Sequence, residues 1–391
     1  MSRRPPAGAE DAPALITDTA GLAALCDRLR AESFVTVDTE FMRERTYWPE
    51  LCVVQLAGEQ EVAVVDALAP GIDLAPLGAL LADTAVMKVF HAARQDVEIF
   101  LLRFGAVPTP IYDTQIAAMV AGFGDQVSYD ALARSLANAQ IDKAHRFSDW
   151  AARPLSPAQI AYAAADVTHL RRIYAGLTAR LAREGRTAWV AEELAELADA
   201  ATYRPDPDTA WERLKPRSHN RRFLGLLRAA CAWREKEAQR VNIPRQRLVK
   251  DETLLEVAAT APESAAELAR ARGITEGFAR GKSGPGCWRR SPRGGAARGR
   301  PAERPRDGTG GPSPRWSPLL KVLLAAAASS IMSRRSCWRA RMSWSGWPRR
   351  GRPSGAAWLR REVFGEAALC AEGRADRARV EGRRVRVIEA G

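Results

Sequence analysis

Residues 33–41 read Ser-Phe-Val-Thr-Val-Asp-Thr-Glu-Phe, a strand-forming run that ends in two carboxylates, Asp38 and Glu40, two positions apart. Alternation along a strand puts both on one face. Like charges side by side are costly unless a cation lies between them, which asks for a hard metal ion with oxygen ligands. Taken alone, the pair reads more readily as two solvated acids at a fraying strand end. Two further segments carry comparable groups. Residues 95–104 place apolar side chains at 97, 99, 100, 101 and 104, a helical period, with Asp96 in the first turn. An acid there also simply favours the helix N-terminus, by about 0.3–1 kcal/mol. Ser156-Pro-Ala-Gln159 opens a helix, with Ser156 as N-cap, Pro157 at the first helical position and Gln159 three residues on. That helix is expected to run to about Leu181. Tyr162 and Asp166, four apart, share one of its faces, and the alanines around them allow close approach to a sheet. On an isolated alanine-rich helix the same two residues read more readily as a surface pair. Together the three segments supply four acids and one phenol.

The elements that would position them are legible in outline. Residues 51–57 and 61–66 are apolar runs separated by Gly58-Glu59-Gln60, consecutive strands that extend the sheet begun by 34–40. Residues 74–82 are helical in pattern, 86–91 form a short buried strand ending at His91, and 111–114 lead as a strand into a helix over 115–121. From Ser128 the chain turns mostly helical. Strands and helices in this order predict an α/β domain around a mixed central sheet.

The chain has 391 residues, 46% of them hydrophobic, enough for two or three domains with real cores. No apolar run approaches the roughly 18 residues of a membrane span. The N-terminal arginines are followed by no apolar stretch, which argues against a secretory signal, and a cytoplasmic, monomeric protein is expected. Six scattered cysteines without CxxC spacing read as reduced thiols. The net charge of +13 is unevenly placed: residues 1–200 sum to −9, 201–284 to +6 and 285–391 to +16. The basic excess is therefore a property of the tail, not of the segment that carries the acids.

In order and local context the acids resemble the DEDD family of 3′→5′ exonucleases, in its Tyr-containing branch. The resemblance is specifically to ribonuclease D, in VDTEF at 37–41, RTYWPELCVVQLA at 45–57, FHAARQDVEIF at 90–100, DTQIAA at 113–118 and DKAHRFSDWAARPLSPAQIAYAAADV at 142–167. It implies a ribonuclease-H-like mixed-sheet exonuclease domain over 15–203, after a flexible stretch at 1–14. It also implies that Asp38, Glu40 and Asp166 are direct ligands of two Mg²⁺ or Mn²⁺ ions about 4 Å apart, with Asp38 bridging. Asp96 would hold the second ion through water, and Tyr162 would orient the attacking water, since a phenol with a pKa near 10 is a poor base. Lys143 and Arg146 are candidate phosphate contacts. His91 stands at a family-like position, and reads more readily as a packed strand-end histidine.

After the Pro-rich stretch 203–208, residues 204–284 read as a second, all-α domain. Its long amphipathic helix spans 220–240, with Phe223, Leu224, Leu227, Ala230 and Trp233 inward. The strings LGLLRAACAWREKEAQR and PRQRLVKDETLLEVA resemble the HRDC domain. Residues 211–250 hold 12 Lys and Arg against 3 acids, a footprint suited to RNA phosphates, with Arg221, Arg222, Arg234 and Lys236 as candidate contacts. The tail, 285–391, contains six of the eleven tryptophans among Arg/Gly/Pro/Ser strings, broken by family-like islands at 319–326, 360–369 and 380–388. It reads as a mostly disordered, frameshifted remnant of a second HRDC domain.

The expected function is metal-dependent 3′→5′ trimming of RNA with a free 3′ end, such as tRNA precursors, releasing nucleoside 5′-monophosphates. The same acids would serve a DNA exonuclease, with 2′-hydroxyl contacts as the discriminator. A non-catalytic nucleic-acid-binding protein would be expected to have lost an acid, and none is missing.

Overall fold

The computed structural model describes residues 13–281, apart from 143, 215, 217 and 219, and the backbone of 377–381 and 384–388. Contacts divide the chain into two units.

The first unit is built on a six-stranded sheet in the order β1-β4-β3-β2-β5-β6. In chain order its elements are β1 (Ala14–Ile16), α1 (Thr19–Leu29), β2 (Phe34–Met42), β3 (Glu50–Ala57), β4 (Val62–Asp66), α2 (Ala75–Ala82), β5 (Met87–Phe90), α3 (Arg94–Phe104), β6 (Ile111–Asp113), α4 (Thr114–Val120), α5 (Tyr129–Leu132), α6 (Pro157–Arg183) and α7 (Thr187–Ala198). A single π-helical turn, Ala133–Ala137, follows α5. Strand β1 pairs parallel with β4, β3 antiparallel with β4, and β2, β5 and β6 run parallel to one another. The sheet is mixed, as its sequence pattern predicts. β1 and α1 went unread: a three-residue strand carries almost no pattern, and its pairing with β4 is set nearly fifty residues downstream.

Burial explains why β2 is central. Val35, Thr36 and Val37 are fully buried, and the strand is rich in β-branched residues that suit a two-faced packed surface. Helix α6 begins with the capping box its sequence promised. Gln159 N donates to Ser156 Oγ at 3.2 Å and Ser156 N to Gln159 Oε1 at 3.0 Å, with Pro157 in the first turn. It runs 27 residues and buries Ala163, Ala164, Val167, Leu170, Ile173, Leu177 and Leu181, a stripe at helical spacing.

The second unit comprises the β2–β3 connection, Met42–Glu50, and the segment Arg204–Thr309, of which residues 204–281 are described apart from 215, 217 and 219. After a 3₁₀ turn at Pro207–Leu214 come α8 (Arg221–Val241), α9 (Arg245–Leu248), α10 (Asp251–Thr260), α11 (Ala265–Leu268) and α12 (Glu276–Arg280). Asn220 caps α8, its Oδ1 accepting from Arg222 N at 2.9 Å. Leu224, Leu227, Ala230 and Trp233 enter the core and Phe223 packs against it. The β2–β3 connection is gripped within this unit: Tyr47 Oη donates to Glu235 Oε1 at 2.5 Å, and the amides of Tyr47 and Trp48 both donate to Asn242 Oδ1 at 3.1 Å.

The reading of the tail lies outside the described residues. The exception is the backbone of β7 (Arg377–Glu381) and β8 (Arg384–Ile388), which pair antiparallel across one of the family-like islands.

Candidate active site

Helix α6 packs against the sheet and meets β2 at several residues. At the start of the strand, Arg171 stacks over the Phe34 ring at 4.2 Å and Tyr174 approaches it at 4.6 Å. Two residues on, Thr36 Oγ1 donates to Val167 O at 2.9 Å. Asp38 then faces the charge of Asp166, and Glu40 that of Asp166 and the phenol of Tyr162. Along these contacts the helix numbering falls as the strand numbering rises, from Arg171 beside Phe34 to Tyr162 in the field of Glu40. Alternation puts Asp38 and Glu40 on one face of β2, and the helical period puts Tyr162 and Asp166 on one face of α6.

Asp96 arrives from the first turn of α3 and is 6% exposed. Thr39, on the opposite face of β2 from the two acids, donates its hydroxyl to Asp96 Oδ1, and Asp96 acts electrostatically on Asp38 and Glu40. The start of α3 is fixed by Asp113. Its buried carboxylate accepts from Ala92 N (3.1 Å) and Ala93 N (2.9 Å), and from Gln115 N (2.7 Å) at the start of α4. Ala92 stands at φ 60°, in the left-handed region, which costs a non-glycine residue about 1–2 kcal/mol; the Asp113 carboxylate stabilises it there. Asp113→Ala removes the N-cap of α4 and the acceptor of the Ala92 and Ala93 amides just before α3, and a loss of about 2–3 kcal/mol is expected, measured by urea unfolding with wild-type slope.

Burial and mutual repulsion govern the ionisation of the four acids. Asp38 is raised well above the usual carboxylate range by burial, then by Asp166. Glu40 is pushed up to about 9 by burial, then by Asp38, Asp166 and Asp96. Asp96 is raised by burial and by Asp38, and Asp166 to about 7 by burial. Burial, Asp166, Glu40 and Asp38 raise Tyr162 above its ordinary value, while Arg146 opposes them. Among the described residues no three His, Cys, Asp or Glu side chains are grouped as a metal site; the four acids act on one another through their charges. Four hard oxygen donors whose ionisation each opposes are chemically suited to divalent cations.

A family model for 3′-5′ exonucleases matches residues 13–182, and one for the HRDC domain matches 223–286. A ribonuclease D of Gluconacetobacter diazotrophicus is 58% identical, in an alignment that covers all of both chains. The chain belongs to the ribonuclease D family. A family member from Acidiphilium cryptum is 70% identical over 70% of this chain and 69% of its own. Among solved structures, the Escherichia coli RNase D, described as an exoribonuclease involved in structured RNA processing, is 27% identical, with a TM-score of 0.80 over 92% of this chain and 99% of its own. The catalytic core of RRP6 from Trypanosoma brucei shares the fold, with a TM-score of 0.54 at 22% identity over 70% of this chain and 77% of its own. The protein is accordingly a 3′-5′ exoribonuclease with an HRDC region, and no helix among the described residues is long and apolar enough to cross a membrane.

Other ribonuclease D features of the sequence fall into place unequally. His91 packs at the end of β5, its Nδ1 3.0 Å from Thr114 Oγ1, and burial lowers its pKa. Arg146, Arg221, Arg222 and Lys236 are exposed; Lys143 lies outside the described residues. Arg234 corrects the sequence reading. It is 2% exposed, with Nη1 donating to Val249 O at 2.8 Å and pairing with Asp251 at 2.7 Å, so it holds the helical unit together and is withheld from RNA. The helical period had the signal, because 234 falls in line with the buried Leu227 and Cys231.

Arg153 was missed altogether. Its Nε and Nη2 bind both oxygens of Asp66 at 2.8 and 2.6 Å, Nη2 also reaches Cys52 O at 3.0 Å, and Nη1 donates to Trp150 O and Ala152 O at 2.6 and 2.8 Å. One guanidinium thus ties the entry of α6 to β3 and β4. Further along, Tyr129 Oη donates to Ala165 O, beside Asp166, at 2.8 Å.

Proposed function

We propose that this exoribonuclease releases nucleoside 5′-monophosphates one at a time from the free 3′ end of RNA, tRNA precursors among them, with two Mg²⁺ or Mn²⁺ ions held by Asp38, Glu40, Asp96 and Asp166. The observation that carries this reading is that two acids of one strand stand in the field of an acid and a phenol of one helix. Bound there, the cations would supply positive charge to the phosphoryl oxygens and acidity to a water. The chain's own groups do the rest. Tyr162 stays protonated at neutral pH, so its hydroxyl orients a water or a phosphate oxygen by hydrogen bond and takes no proton from it. Asp96 is kept in place by Thr39 and by Asp113, which holds the Ala92 and Ala93 amides just before α3. Arg146, with Lys143 nearby in sequence, offers charge to the backbone phosphates, and Arg221, Arg222 and Lys236 offer more on the helical unit. The two arginines in the first turn of α8 sit at the positive end of a helix dipole, where an external anion relieves them.

Digestion of a 5′-labelled single-stranded RNA in Mg²⁺ or Mn²⁺ tests the reading. A ladder shortening from the 3′ end, 5′-monophosphate products and full arrest by EDTA with recovery on adding metal are expected. Endonucleolytic cuts, or cleavage indifferent to EDTA, would sink it. Tyr162→Phe should lose an orienting hydrogen bond of about 1–1.5 kcal/mol, roughly tenfold in kcat, with RNA affinity unchanged. The same oligonucleotide as DNA separates the two nucleic acids.

A further inference from the structure

Between the π-helical turn and α6 the chain makes a tight turn at Ala144–Phe147 that is closed locally. Ser148 N donates to His145 O at 3.0 Å, the His145 ring lies 3.2 Å from Ser148 Oγ, and Ala144 N donates to Asp142 Oδ1 at 2.9 Å. At its tip the side chain of Phe147 is 90% exposed. The other exposed large apolar residues among those described, Leu15 and Leu102, are at 40% and 44%. A phenylalanine ring in water forgoes burial worth roughly 1.5–3 kcal/mol, so its position at the tip of an ordered turn needs a reason.

Its neighbours supply one. The Arg146 guanidinium lies 5.4 Å from the Phe147 ring centroid, and its charge acts on the Tyr162 hydroxyl. The His145 ring is 6.3 Å from the Tyr162 ring, and Trp150, just after the turn, is 6.0 Å from it. The exposed ring and its cation therefore stand on the same rim as the phenol of the active site. An aromatic face paired with an arginine is what an unpaired nucleobase and its phosphate fit, since every base has a π-face and needs no matching hydrogen bonds.

We propose that this turn is a stacking platform: Phe147 stacks on an unpaired base near the 3′ end of the RNA while Arg146 neutralises the adjacent phosphate, holding the strand against Tyr162. The proposal rests on the exoribonuclease reading and adds the residue that grips the strand. It also implies that a fully paired 3′ end is a poor substrate until it frays.

The test compares wild type, Phe147→Ala and Phe147→Trp on a single-stranded RNA with a fluorescent 5′ label, intact or abasic at each of the last four positions. Binding is read by anisotropy in EDTA and turnover in Mg²⁺. Phe147→Ala should weaken binding and raise KM by about 5- to 100-fold, the range of one base stack, with kcat at saturation unchanged. Phe147→Trp should restore both. At one abasic position wild type should fall to the level of Phe147→Ala, and the variant should lose nothing more. Wild-type affinity in Phe147→Ala, or losses that add at every abasic position, would overturn the platform. So would a change in sedimentation from dimer to monomer without a change in RNA affinity, which would make Phe147 a contact between copies. Because anisotropy needs no cleavage, failure of the platform is visible separately from failure of the exonuclease reading.

Discussion

Asp38→Asn is expected to abolish exonuclease activity and, without metal at pH 8, to make the protein more heat-stable than wild type. The activity loss follows from coupling: Asp38 feels the charge of Asp166, and its own acts on both Glu40 and Asp96. Metal-ion catalysis is worth several kcal/mol, and each 1.36 kcal/mol is tenfold, so kcat/KM should fall by about 10³ or more. The stability gain follows from ionisation. Acids raised in the folded state, Glu40 to about 9 and Asp166 to about 7, bind protons more tightly folded than unfolded, where they titrate near 4. Stability is then full below about pH 4 and declines as pH rises toward the folded-state values. Removing one carboxylate relieves its neighbours. Melting in EDTA should show Asp38→Asn above wild type at pH 8 and level with it at pH 4, where Asp38 itself is neutral. Excess Mg²⁺ should reverse the order at pH 8, because a ligand that binds only the intact site stabilises only wild type. Equal melting of the two proteins in EDTA across the pH range would mean that the acids do not repel one another.

The site was legible where its logic is local. Asp38 and Glu40 announce themselves by alternation, Tyr162 and Asp166 by helical spacing, and α6 by a capping box written in four consecutive residues. That α6 would meet β2 at these residues is written in neither spacing, because it depends on how the helix packs against the sheet. Other features are set by partners far along the chain. Asp113 fixes α3 through amides about twenty residues upstream, and Arg153 meets Asp66 across 87 residues. No spacing rule reports such contacts. Arg234 was misread because a cation in a Trp-Arg-Glu-Lys string looks solvated, although its phase on α8 turns it inward. Phe147 went unremarked because exposure is invisible in sequence. For residues 285–391, we propose a shifted reading frame, which the coding DNA decides: no alternative frame encoding an amphipathic helical bundle there would end that idea.

Arg153→Ala is expected to cost both stability and turnover, and the second loss is the informative one. The Arg153–Asp66 pair is bidentate and largely buried, with side chains 24% and 9% exposed. Breaking such a pair from one side strands the partner. Asp66 keeps one donor, Leu68 N at 3.0 Å, so the loss should be about 2–4 kcal/mol, or roughly 5–10 °C in a domain of this size. The carbonyls of Cys52, Trp150 and Ala152 lose the same donor, and with them goes the tie between β3 and the entry of α6. Tyr162 and Asp166 lie on the second and third turns of that helix. Misplacing reacting groups by about 1 Å costs on the order of a hundredfold, and kcat should fall accordingly at a temperature where the variant is fully folded, with KM for RNA within a few-fold. Arg153→Lys should be nearly as poor, because an ammonium cannot fork across a carboxylate and reach the carbonyls as well. Guanidinium ion at millimolar concentration should restore part of the kcat of Arg153→Ala and none of that of Arg153→Lys, whose side chain fills the site. A variant that melts early yet turns over at the wild-type rate would show that this guanidinium holds the sheet together without setting where α6 delivers its phenol and its acid.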